Sequence, residues 1–90
     1  MQALLNLDPH PPKSRGNASH WTPLERKEIW ETLLFWFEYP GQEEVDVEFL
    51  QNRAIRIHFD RLADLHWTET TFERFGYMLK RCGVRRVWFG

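Results

Sequence analysis

Cysteine is nearly absent from this chain: Cys82 is the single one among ninety residues. One thiol excludes an intramolecular disulfide and a cysteine-built zinc site, and it suits a reducing compartment. Long apolar runs are missing too. No stretch reaches the roughly 20 residues needed to span a bilayer, and the opening Met1 to Pro9 lacks the basic start and apolar length of a secretory leader. We therefore expect a soluble, cytoplasmic protein with no membrane association. A large net charge of either sign is also lacking, since the formal value is −1 and the calculated pI is near 6.4. Basic nucleic-acid-binding domains usually exceed a pI of about 9. No nucleotide, metal or catalytic motif appears at a spacing its chemistry would require, so no cofactor is expected and binding is favoured over catalysis.

Aromatic residues are what the chain has in excess: seven Phe, five Trp and two Tyr. Their densest run is Ile29-Trp30-Glu31-Thr32-Leu33-Leu34-Phe35-Trp36-Phe37-Glu38-Tyr39. A helix hides one stripe of apolar surface against its own core, so aromatics on its other side are left to meet a partner. Charge is uneven along the chain. Residues 1–50 hold four Lys/Arg against nine Asp/Glu, and residues 51–90 hold eight against four. Mutual pairing of the two halves is the plain explanation.

Residues 1–20 carry Pro9, Pro11, Pro12 and Gly16 without periodicity and read as a flexible tail, in which Leu4, Leu5 and Leu7 could dock on the domain or a partner. Residues 21–90 form one small domain. Thr22-Pro23-Leu24-Glu25 has the spacing of a capping box with proline at the first helical position, and predicts a helix to about Tyr39. On it Ile29, Trp30, Leu33, Leu34, Trp36 and Phe37 share an arc of about 160°, while Phe35 falls opposite, among Glu28, Glu31 and Tyr39, with Leu24 on the same outer side. Val45–Phe49 and Ile55–Phe59 alternate with period two and predict paired strands. One register sets Phe49 against Ile55, Glu48 against Arg56 and Asp46 against His58; another sets Asp46 against Arg56 with Asn52 left-handed. A second helix begins near Thr68 or Thr70, Thr70 to Glu73 being a possible capping box. It carries Phe72, Phe75, Met78, Leu79 and Cys82 on an arc of about 120° and closes at Gly83. Val84 to Phe89 predicts a last strand. The fold class is α+β in the order α-β-β-α-β, with a three-stranded mixed sheet ordered 2-1-3 or 1-2-3 and both helices on one face.

Leu79-Lys80-Arg81-Cys82-Gly83-Val84-Arg85-Arg86-Val87 resembles the helix-to-strand passage of STAS-type regulatory domains and of many other α/β folds. The resemblance implies that passage and no particular function.

Three kinds of site are candidates. The surplus aromatics Phe35, Trp36, Tyr39 and Trp88 are the expected partner-binding surface, with Trp21 and Trp67 in connections. Trp88 is included because it alternates away from Val87 and Phe89. On this reading the protein is a regulator, adaptor or inhibitor of the small kind common in bacteria and phages. It binds another protein and itself, as a homodimer. The alternative partner is nucleic acid, met by Arg56, Arg74, Tyr77, Arg81, Arg85 and Arg86. The weakest candidate is a metal-dependent hydrolase built from His58, Asp60, Asp64 and His66, whose spacing fits no ligand motif. Cys82 reads as a small core residue.

Overall fold

The computed structural model describes residues 20–90. Apart from His20, the expected tail and its leucines lie outside them. The described residues form α1 (Pro23–Trp36), β1 (Val45–Phe49), β2 (Ala54–Phe59), α2 (Glu69–Arg81) and β3 (Arg86–Phe89), with short 3₁₀ turns at Gln51–Arg53 and Leu62–Leu65. The architecture is α+β. The sheet is mixed and ordered β1-β2-β3, with β1 antiparallel and β3 parallel to β2. Of the two predicted orders, the one with β2 at the centre is found.

Each helix begins as its sequence dictates. The Thr22 side chain accepts from the Glu25 amide at 3.1 Å, and Glu25 accepts from the Thr22 amide at 2.9 Å, which closes the capping box. Thr68 caps α2 by accepting from the Thr71 amide at 3.2 Å. Of the two predicted starts, Thr68 is the one used. At its far end α2 stops in a Schellman turn: Gly83 N–H donates to Lys80 O and Val84 N–H to Leu79 O, with Gly83 at φ +93°. Leu79 and Val84, the apolar pair of that motif, are both buried.

α1 ends at Trp36, earlier than the predicted Tyr39, with Phe37 as its C-cap. Pro40 keeps Tyr39 out of the α conformation, since its ring excludes that conformation from the residue before it, but α1 has already ended three residues earlier. Glu38 and Tyr39 instead turn left-handed at φ +64° and +54°. Tyr39 is therefore beyond the helix.

The hairpin adopts the first predicted register, with Val45 opposite Phe59, Asp46 opposite His58, Glu48 opposite Arg56 and Phe49 opposite Ile55. The connecting turn holds Asn52 at φ +59° and Arg53 at +60°. This register sends Val45, Val47, Phe49, Ile55 and Ile57 to one face, where with Val87 they meet Ile29 and Leu33 of α1 and Phe75 and Leu79 of α2. Period two in the strands and 3.6 in the helices produce one continuous core. Phe37 stacks on Phe59 at 4.3 Å between centroids, and Trp67 packs beside Phe75 at 4.9 Å. Trp21 is buried against Phe49 and donates its indole N–H to Leu50 O. Two of the surplus aromatics, Trp21 and Trp67, are thus absorbed by the core.

Trp88 requires a correction. It points off the helix-bearing face as its alternation predicts, yet it is only 4% exposed and clusters with Leu50 and Ala54. Its indole N–H has no hydrogen-bond partner among the described residues. An exposed Trp88 was the expectation, and a buried one is what the fold contains.

Candidate functional site

The two helices lie side by side and antiparallel. Thr32 of α1 meets Cys82 at the end of α2, with Oγ1 and Sγ 3.8 Å apart, while Trp36, a turn later, meets Phe75 at 6.0 Å between rings. A groove of about 520 Å³ runs between them on the surface away from the sheet. Thr32, Trp36 and Cys82 line it together with Phe35 and Met78, and Glu28, Glu31 and Arg81 complete it.

Helical spacing explains this surface. Leu24, Glu28, Glu31 and Phe35 recur at intervals of four, three and four and form one line along α1. Leu24 is 63% exposed and Phe35 62%. Arg74 and Arg81 form the corresponding line on α2, with Met78 on the side toward α1 and Tyr77 on the other. In the groove itself the α1 wall therefore carries the acids Glu28 and Glu31 and the α2 wall the base Arg81, with Arg74 farther along α2 outside the lining. Glu28, Glu31, Arg74 and Arg81 make no ion pair among the described residues.

Phe35 is exposed but not isolated. Its ring meets Trp36 edge-on at 6.1 Å and Tyr39 at 6.4 Å, and Trp36 in turn meets Trp67 and Phe75. A chain of edge-to-face contacts thus leads from buried Phe75, through half-buried Trp36, to exposed Phe35 and Tyr39. The core holds the outer rings in place, which lowers the ordering cost of binding. Met78, expected in the core, is exposed and lines the groove instead, while Cys82 lines the groove and also packs against the core as expected. Met78 already stood at the margin of its predicted arc, and that was the available signal.

The other candidates do not assemble in the same way. Arg56 and Arg86 lie on the sheet face opposite the helices, Arg56 paired with Glu48 at 3.0 Å, whereas Arg74, Tyr77 and Arg81 lie on the helix layer. Arg85 is exposed just before β3. The six residues are split between two sides of the sheet. Among the described residues no three His, Cys, Asp or Glu side chains gather as a metal site. His58 Nε2 donates to Glu48 at 2.9 Å, and Asp64 lies 3.8 Å from Arg61, so these two groups serve local pairing.

A second cavity of about 620 Å³ lies beside the free edge of β1, lined by Trp30, Leu34, Gln42, Glu43, Val45 and Asp46. Asp46 accepts from the Val47 amide at 2.9 Å. A charged side chain occupying an edge amide guards that edge against added strands.

No family model, curated protein or solved structure matches this chain. No described helix is long and apolar enough to cross a membrane.

Proposed function

We propose that the protein is a small non-enzymatic interaction module, a regulator, adaptor or inhibitor, that binds protein through the outer surface of α1 and α2 and self-associates as a homodimer. The observation that carries this reading is Phe35, 62% exposed at the head of a groove and anchored through Trp36 to the core. Large aromatics held in a fixed geometry are the usual energetic centres of protein interfaces. Phe35, Trp36 and Tyr39 are the binding residues, joined by Met78, and buried Trp88 is not among them. The free Cys82 thiol beside this surface suits a reducing compartment such as the cytoplasm.

Size-exclusion chromatography with light scattering tests the reading. The wild type is expected to run as a dimer at micromolar concentration. Phe35→Asp is expected to run as a monomer that stays folded, because the position is exposed and outside the buried core. A dimer indifferent to Phe35→Asp would place the interface elsewhere.

A further inference from the structure

The acidic and basic walls of the groove are complementary to each other, which limits how two copies can meet. We infer that the dimer is a two-fold pairing in which the α1 wall of each copy lies on the α2 wall of the other, with the symmetry axis running along the groove. The inference rests on the self-association proposed above and specifies its geometry.

The antiparallel arrangement makes this pairing possible. Because Thr32 is level with Cys82, Glu31 stands near the height of Arg81 with Glu28 about a turn beyond it, and Phe35 stands near the height of Met78. A two-fold axis parallel to the helices keeps heights unchanged and exchanges left for right. It therefore sets Glu31 of one copy over Arg81 of the other, and the reverse contact follows from symmetry. An isologous interface requires this reciprocity. The same operation brings Phe35 and Met78 of both copies to the centre. Arg74, farther along α2, then approaches the Tyr39 end of the partner's α1. Acid and base face each other across one groove without pairing in the described residues, and a second copy supplies each with its counterpart. A partner of one charge sign would satisfy one wall and repel the other. Lys27 and Glu73, exposed on the helices, carry charges opposite to their own walls; Glu73 already has an interaction within the chain.

Charge reversal discriminates this geometry sharply. Glu31→Arg creates two Arg–Arg contacts per dimer, and Arg81→Glu creates two Glu–Glu contacts. Each variant is expected to raise the dimer Kd by roughly 100-fold, given the cost of like charges at an interface. An equimolar mixture of the two restores both Glu–Arg contacts and is expected to form a one-to-one heterodimer, read by native mass spectrometry. Cys82 supplies a second readout without mutation: its reaction with a thiol reagent is expected to slow as the wild type is concentrated into the dimer. Single variants that dimerise like the wild type, a mixture that stays monomeric, or a thiol rate independent of concentration would each overturn the pairing. If Phe35→Asp still abolished the dimer in those cases, the interaction surface would stand and only its geometry would fall. A wild type monomeric at high micromolar concentration would overturn both.

Discussion

Glu38 and Tyr39 sit in the left-handed region one after the other, where a Cβ crowds the backbone. Glu38 N–H donates to Phe35 O and Tyr39 N–H to Leu34 O, the same Schellman pattern that Gly83 completes at the end of α2. Glycine suits this position because it has no Cβ. α1 thus ends with a glutamate where the local geometry favours glycine. Glu38→Gly is expected to raise stability by about 1 kcal/mol, the relief of one strained residue less the entropy glycine adds to the unfolded chain. Chemical denaturation measures it, and a loss of stability would mean that the Glu38 side chain makes a compensating interaction. The same scale explains the misreading of Trp88. Alternation along a strand identifies the face a residue occupies. Whether that face is wet depends on neighbours such as Leu50 and Ala54, which belong to other parts of the chain.

At the level of elements, the junction of α1, the hairpin turn and the α2–β3 loop is organised by Arg53. Its guanidinium lies 3.8 Å from the Trp21 ring centroid, pairs with Glu25 and donates to the carbonyls of Gly83 and His20. Its own carbonyl accepts from Arg85 N–H at 2.7 Å. In the sequence Arg53 is one of eight basic residues in the second half, with nothing to mark it. A planar fork that stacks on a ring while bonding in its plane is specific to arginine. Arg53→Lys keeps the charge but is expected to cost about 2 kcal/mol, from the lost stacking and carbonyl bonds. Thermal melting checks it, and a Lys variant as stable as the wild type would reduce the contribution of Arg53 to charge alone. The hairpin was legible by comparison. Two five-residue alternations that must share one buried face leave few registers; both that were open set an acid against Arg56, and the structure takes the one with Glu48.

Over the described molecule, part of the charge asymmetry of the two halves becomes pairing between them. Glu25 meets Arg53, Glu48 meets Arg56 and Glu44 meets Arg61. The pKa of each of these carboxyls is held below the ordinary 4.5: Glu25 chiefly by the Thr22 amide and then Arg53, Glu44 by Arg61 and then the Gly41 amide, Glu48 by the His58 hydrogen bond with Arg56 adding to it. A lowered folded-state pKa contributes stability that is fully present above the unfolded value and is lost as pH falls through the folded one. The melting temperature is therefore expected to hold above pH 4.5 as far as these groups decide it and to fall below that value. Glu48→Gln should lower it near neutrality, and the gap to wild type should close as the solution becomes acidic. A gap that stayed constant with pH would show that the ionised form contributes nothing.

By itself the sequence determined the elements, the capping box of α1 and the split of that helix into a buried stripe and an outward Phe35, and it narrowed the hairpin to two registers and the start of α2 to Thr68 or Thr70. All of these follow from local spacing: 3.6 and 2.0 periods and a hydroxyl three residues from its amide. Only the tertiary structure decided which outward residues meet solvent and which meet each other. Trp88 became buried, Met78 and Cys82 came to line a groove, and Arg53 became the centre of a junction. Those outcomes depend on residues far apart in the chain brought within a few ångströms by the sheet order and by the antiparallel packing of α1 on α2. A one-dimensional pattern carries no such distance.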